Sequence, residues 1–285
     1  MSDSGTGPLA GMRALVVGGG SGIGLGSARV LAADGAVVTI AGRTEAKLRD
    51  AAADLADDGL DVAYCVCDVL DPASVRGAVA AASDAEGRLD VAVVVPGGGS
   101  ITPVLLHDDA GFAAEIAQNV MPIFLTLKYA GRAMVRNGSG SFVAISSTAS
   151  HFATRYLSSY AAGKAAVDEL VRVAANELGP LGVRVNAVRP GMTRTPATAG
   201  AFANPTMLDA FVAGQPIGRP GEVDDIAAAV RWFAGPESSW VTGQALAVDG
   251  GHTLRAFVDY AELLPIPDVR ATILAEPIPA PNSDA

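Results

Sequence analysis

The chain has 285 residues, half of them hydrophobic, and a formal net charge of −10. That length predicts one large domain with ample material for a core. No cluster of Lys and Arg offers the electrostatic footprint that nucleic-acid binding requires. No apolar run approaches the ~20 residues needed to cross a membrane, and residues 1–12 lack the basic start and apolar core of a secretory signal. Cys65 and Cys67 are too close along one stretch to suit a disulfide and have no third ligand nearby for zinc. They read as buried free thiols in a reducing cytoplasm. His107 and His151 also lack metal-ligand partners in sequence, so no metal site is expected.

Short apolar runs then alternate with longer Ala-rich stretches. Strands are predicted at 13–18, 36–41, 62–67, 89–95, 141–146, 183–188 and 245–248, and helices at 22–33, 45–56, 72–85, 109–137, 158–179 and 223–234. The strands are nearly continuous in apolar residues, as strands covered on both faces should be. The alternation predicts an α/β fold, a single doubly wound domain with a parallel sheet and helices on both faces. Residues 193–215 break the pattern and read as a lid or substrate loop with a short helix. The domain is expected to span 1–251, followed by a partly irregular, proline-rich extension over 252–285.

After the first strand comes Gly18-Gly19-Gly20-Ser21-Gly22-Ile23-Gly24, which opens the first helix. Glycine lets backbone approach a pyrophosphate closely, and the helix N-terminus supplies amide donors. The second strand ends in Gly42-Arg43-Thr44, where a dinucleotide site reads the adenosine ribose. An acid there would bind a free 2′-hydroxyl. Arg43 instead suits a 2′-phosphate, which favours NADP(H) over NAD(H), although an arginine there also stacks on adenine or faces water. Asp68 and Val69 fall where adenine would lie, and Asp68 reads equally as a helix cap before Pro72.

The segment Ser158-Ser159-Tyr160-Ala161-Ala162-Gly163-Lys164 places a tyrosine and a lysine one helical turn apart. A cation held there stabilises a tyrosinate and suits the tyrosine to general acid–base work. None of the other four tyrosines has a lysine at that offset, and Ser147 stands thirteen residues upstream. Alone, Ser147 reads as a strand-end turn residue and Asn119 as a helix cap.

Together these pieces resemble the short-chain dehydrogenase/reductase family, close to its 3-oxoacyl-carrier-protein reductase type, over roughly residues 11–251. The likeness rests on Gly18, Gly22 and Gly24; Asn119; Ser147 in Ile145-Ser146-Ser147; Tyr160 and Lys164; Arg184-Val185-Asn186; Pro190, Gly191 and Thr195; and Asp249-Gly250-Gly251. One departure is Val94-Val95-Pro96-Gly97, where the family usually carries Asn-Asn-Ala-Gly; another is the extension after Gly251.

The resemblance implies a seven-stranded sheet in order 3-2-1-4-5-6-7 and hydride transfer between a nicotinamide cofactor and a carbonyl or secondary alcohol. Tyr160 would give or take the proton, and Ser147 would hold the substrate oxygen. Lys164 would lower the tyrosine pKa and bind the nicotinamide ribose. Asn119 would hold a water through its helix backbone. Pro96, Gly97, Pro190, Gly191, Thr193 and Thr195 would flank the nicotinamide half, with Thr195 and the backbone near Thr193 gripping the carboxamide. His151, Phe152, Tyr156, Met192, Phe202 and Met207 are candidate pocket residues, which favours an apolar or steroid-like, acyl or cyclic ketone, although Phe202, Met207 and Phe211 read at least as well as core contacts of a lid helix. A homotetramer with two-fold axes is expected, and the extension reads either as packing over the domain or as lying near a subunit interface and reaching over a neighbour's active site. The alternative on the same fold is a non-catalytic dinucleotide sensor, for which the Val94-Val95-Pro96 departure and the acidic tail speak.

Overall fold

A computed structural model describes residues 7–255 and 258–275. Seven strands form one parallel sheet: β1 (Arg13–Val17), β2 (Val37–Gly42), β3 (Val62–Val66), β4 (Val91–Val94), β5 (Gly140–Ile145), β6 (Val183–Pro190) and β7 (Ala245–Val248). Their order is β3-β2-β1-β4-β5-β6-β7, the order expected. The helices are α1 (Gly22–Ala33), α2 (Glu45–Asp57), α3 (Pro72–Ala82), α4 (Asp109–Asn137), α5 (Ser158–Leu178), α6 (Ala199–Phe202), α7 (Pro205–Ala213), α8 (Val223–Ala234), α9 (Tyr260–Leu263) and α10 (Val269–Ala275).

Alternation along the central strands builds the two cores. Leu15 and Val17 of β1 and Phe142 and Ala144 of β5 face α3, α4 and α5, meeting Val75, Ile123, Met134 and Val171. Ala14 and Val16, with Val143 and Ile145, face α1, α2 and α8, meeting Leu31, Leu48, Ile226 and Phe233. Both faces of the sheet are therefore covered, which is why the strands read as unbroken apolar runs. Cys65 and Cys67 lie on the first of these faces as free thiols.

The structure corrects several expectations. Helix α4, at 29 residues, does have the length and composition of a membrane-crossing segment. It nonetheless lies along the sheet, with Ile123, Leu127, Ala130 and Met134 in the core. The cap before Pro72 is Asp71, whose carboxylate accepts from the Ala73 and Ser74 amides, and not Asp68. The segment after β6 holds two short helices, α6 and α7, rather than one. Of the two placements open to the extension, its described residues take the one over the domain: Tyr260 is buried in a cluster with Ala149, Leu157, Met207 and Phe211, and Arg155 pairs with Asp259 at 2.7 Å. Residues 276–285, which hold the last three prolines of the extension, lie outside the described residues.

Candidate functional site

The sheet order reverses direction between β1 and β4, so the loops leaving these two strands part and open a crevice at their carboxyl ends. The glycine turn forms one wall. Gly18 takes φ 84°, a left-handed conformation that favours glycine, and its N–H donates to the Ala41 carbonyl at 2.7 Å. A Cβ on Gly24 would stand 2.1 Å from the Gly18 carbonyl oxygen, so the helix seats this close only with glycine there. Ser21 precedes α1 without capping it through its side chain. The first amides of a twelve-residue helix thus face the crevice, an arrangement that fits a pyrophosphate.

Towards β2 the crevice is lined by Gly20, Ser21, Gly42, Arg43, Thr44, Lys47, Asp68, Val69, Pro96, Gly97 and Gln118. Arg43 and Lys47 are both exposed, and neither makes an ion pair among the described residues. Lys47 was not legible as a site residue; its only signal is its position four residues past Arg43, in the first turns of α2. Asp68 reaches this wall while its carboxylate accepts the Leu70 amide at 3.0 Å.

On the other side of Gly97, the crevice is lined by Gly18, Ser21, Gly22, Ile23, Ser147, Tyr160, Lys164, Pro190, Gly191, Thr193 and Thr195. Residues named from five separate stretches of sequence thus meet around one space. Ser147 ends the β5 connection, where its hydroxyl accepts the Ala149 amide at 3.1 Å. Tyr160 and Lys164 project from the first turns of α5. Lys164 is 2% exposed, and its ammonium donates to the Ile145 carbonyl at 2.8 Å. Burial lowers its pKa to about 8, against the pull of the Asp168 carboxylate.

Tyr160 departs from expectation. Burial raises its pKa, and the hydrogen bond with Ser147 pulls it back in part. The Lys164 ammonium lies 5.9 Å from the ring centroid, turned to the Ile145 carbonyl, so the tyrosine does not have the full benefit of that charge.

Asn119 is fully buried beside this wall rather than lining it. Its amide donates to the Gly98 and Glu115 carbonyls, both at 2.7 Å, and its oxygen accepts the Gly98 N–H at 3.2 Å. Pro122 sits inside α4 one turn later. Lacking an N–H, it leaves the Gln118 carbonyl without its helical donor. Thr193 is buried and donates to the Gly191 carbonyl at 3.0 Å. Thr195 caps a short turn, accepting the Thr198 amide at 3.3 Å while its own N–H donates to the Thr198 hydroxyl at 3.0 Å. Any further contact from Thr195 shares that hydroxyl. Beyond Tyr160 stands the apolar cluster of Leu157, Met207, Phe211 and Tyr260, with Tyr156 and Met192 packed against it. Of the other candidate pocket residues, Phe152 lies 5.5 Å from the His252 ring and Phe202 lies under the Arg194 guanidinium at 4.3 Å. Among the described residues no three His, Cys, Asp or Glu side chains converge as a metal site.

Comparison with known proteins gives this geometry its family. A family model described as enoyl-(acyl carrier protein) reductase matches residues 18–253. Galactitol 2-dehydrogenase (L-tagatose-forming) from Cereibacter sphaeroides is 39% identical over 250 residues, covering 86% of this chain and 96% of that protein. The structure of a short-chain type dehydrogenase/reductase from Mycobacterium ulcerans superposes with a TM-score of 0.86 at 38% identity, over 90% of this chain and 95% of that one. A 7α-hydroxysteroid dehydrogenase solved with NADH and 7-oxo glycochenodeoxycholic acid has a TM-score of 0.81 at 31% identity, over 85% and 94% of the two chains. The chain belongs to the short-chain dehydrogenase/reductase family. It is an oxidoreductase that uses a nicotinamide cofactor to interconvert alcohol and carbonyl groups.

Proposed function

We propose that this enzyme interconverts an apolar, ring-sized ketone and its secondary alcohol with NADP(H), using Tyr160, Ser147, Lys164 and Asn119. The observation that carries the reading is the meeting of Ser147, Tyr160 and Lys164 with the glycine turn in one crevice. The cofactor supplies the hydride, and the protein supplies position and protons. Tyr160 donates its phenolic proton to the oxygen of a carbonyl being reduced, or accepts one from an alcohol. Ser147, which also hydrogen-bonds the phenol, holds that oxygen in line. Lys164 favours the tyrosinate and, with a pKa of about 8, exchanges protons near neutral pH. Asn119 keeps the segment around Gly98 against them.

Arg43 and Lys47 on the adenosine side support NADP(H), since two unpaired cations favour a 2′-phosphate. The buried apolar cluster of Leu157, Met207, Phe211 and Tyr260, against which Tyr160 and Met192 pack, supports an apolar ring over a polyol such as the one named for the Cereibacter relative. The oxo-steroid held by the 7α-hydroxysteroid dehydrogenase points the same way. The α4–α5 groove, lined by Phe124, Leu127, Val135, Leu170, Val173 and Leu178, supports pairing with a second copy about one two-fold axis, and exposed Trp240 ahead of β7 supports the second axis of a tetramer. Two free thiols and the acidic surface suit the cytoplasm.

The test is a panel of cyclic ketones, a steroid ketone and a hexitol with NADPH and NADH. Ring ketones are expected to be turned over best. Tyr160→Phe should lower kcat roughly a hundredfold or more, with cofactor binding nearly unchanged. Efficient hexitol oxidation without ring-ketone turnover would overturn the substrate reading, and wild-type turnover in Tyr160→Phe would overturn the proton role.

A further inference from the structure

The segment leaving β4 has little of its own to hold it. Val94, Val95 and Pro96 carry no polar side chain, and Gly97, Gly98 and Gly99 follow. Yet its neighbours leave it no slack. A Cβ on Gly97 would stand 2.6 Å from both the Lys164 Nζ and the Asn119 Oδ1, and one on Gly99 would stand 2.7 Å from the Tyr160 Cβ. Small displacements of this backbone therefore bear directly on Tyr160 and Lys164.

Two α4 side chains hold the segment. Asn119 grips Gly98 through both its amide nitrogen and its oxygen. One turn earlier, the Glu115 Oε2 accepts the Ser100 N–H at 3.0 Å. The same oxygen accepts the hydroxyl of Ser159 at 2.5 Å, and Ser159 is the buried residue just before Tyr160. His107 closes the group, with its Nε2 3.3 Å from the Ser159 hydroxyl and 3.9 Å from the Glu115 carboxylate. One carboxylate oxygen thus joins three parts of the chain: the segment after β4, helix α4 and the first turn of α5. Burial disfavours charge on Glu115, but its hydrogen bonds from Ser159 and Ser100 and the nearby His107 outweigh that and hold its carboxyl below the ordinary value. It is therefore an ionised acceptor, suited to collect two donors at once.

We propose that Glu115 is a positioning residue for the reaction: its carboxylate ties residues 97–100 to the start of α5 and so sets Tyr160 and Lys164 against the segment that bounds the cofactor crevice. The inference rests on the reading of Tyr160 as the acid/base. No local pattern marks Glu115, because its partners lie 15 residues before it and 44 residues after it.

The test compares Glu115→Leu, Glu115→Gln and Ser159→Ala with wild type, by steady-state kinetics on the ring-ketone panel, by NADPH fluorescence titration, by melting temperature, and by hydrogen exchange of the peptide covering 97–100. Leucine keeps the helix and removes the acceptor. It should lower kcat about ten- to a hundredfold, since small misplacements of a catalytic group carry penalties of that order. NADPH affinity should stay within about threefold, and exchange at 97–100 should quicken about tenfold. Glutamine keeps an acceptor oxygen and should restore most of kcat. Ser159→Ala cuts only the link to α5 and should lower kcat several-fold at an unchanged melting temperature, which keeps the proposal testable if the leucine variant does not fold. Wild-type kcat in Glu115→Leu, or in Ser159→Ala where the leucine variant does not fold, would overturn it. So would a glutamine variant as impaired as leucine, or a kcat loss that only tracks lost stability and lost NADPH affinity. If wild type turns over none of the panel, the substrate reading has failed instead. The exchange rates at 97–100 then decide the anchoring by themselves, and unchanged exchange in Glu115→Leu would refute it.

Discussion

Lys164 sets function against stability. Its side chain is 2% exposed, and burial lowers its pKa from 10.5 to about 8. At 1.36 kcal/mol for each pH unit, holding the charge inside the fold at neutral pH costs about 3 kcal/mol. Lys164→Met keeps the apolar stem and removes the charge. It also leaves the Ile145 carbonyl without the donor it has at 2.8 Å. A lost hydrogen bond of this kind costs about 1 kcal/mol. The variant is therefore expected to be more stable than wild type by about 2 kcal/mol at pH 7, from the difference of the two effects. Urea unfolding of cofactor-free protein at one fixed concentration reads this directly. The sign of the pH dependence follows from the same shift. Between about 8 and 10.5 the unfolded lysine holds a proton that the folded one has released. Wild-type stability should therefore rise with pH across that window, and the variant should lack that rise. Turnover should fall roughly a hundredfold or more, because the lysine that favours the tyrosinate is gone. Unfolding midpoints that coincide at pH 7, with the same pH slope in both proteins, would refute the reasoning.

Other outcomes follow from the remaining walls of the site. Arg43→Asp should reverse cofactor preference from NADPH to NADH in a binding titration, since a carboxylate repels the 2′-phosphate and accepts from a free hydroxyl; tighter NADH binding by wild type would contradict the NADP(H) assignment. Tyr260→Ala removes a ring buried in the apolar cluster against which Tyr160 packs. It should raise kcat/KM for bulky bicyclic ketones relative to cyclohexanone by roughly tenfold, and an unchanged ratio would remove the C-terminal extension from substrate selection. Light scattering at micromolar concentration should give the mass of a tetramer, because the α4–α5 groove exposes 42% of Phe124 and 46% of Val173 in a lone chain and Trp240, five residues before β7, exposes a second apolar patch for a second two-fold contact. A stable monomer would contradict the pairing.

The order of strands and helices was legible because it is written in short-range periodicity. β7 (Ala245–Val248), α1, α4 and α8 begin and end where the residue pattern puts them. The Tyr160–Lys164 pair was legible for the same reason, as a spacing of one helical turn. The glycine turn could be read because its backbone demands are local. One error is local, and the others fall where distant parts of the chain compete. Asp71 takes the cap at α3 because its side chain reaches the Ala73 and Ser74 amides, whereas Asp68 reaches only Leu70. The environment of Tyr160 depends on how deeply α5 sinks against the sheet, so its pKa direction was not visible in the Tyr-x-x-x-Lys spacing. Lys47 joins Arg43 at the crevice from the first turn of α2, four residues on. Glu115 and Tyr260 are the clearest cases. One is a helix carboxylate and the other a tail tyrosine, and neither differs locally from many solvated residues. Packing alone brings Glu115 to Ser159 and Tyr260 to the cluster beside Tyr160. The sequence by itself determined the elements, their order along the chain and the Tyr160–Lys164 spacing on α5, because those rest on contacts within a few residues. Tertiary structure decided the charge state, the anchoring and the walls of the site, because burial and hydrogen bonding between distant segments arise only once the sheet and helices have closed around them.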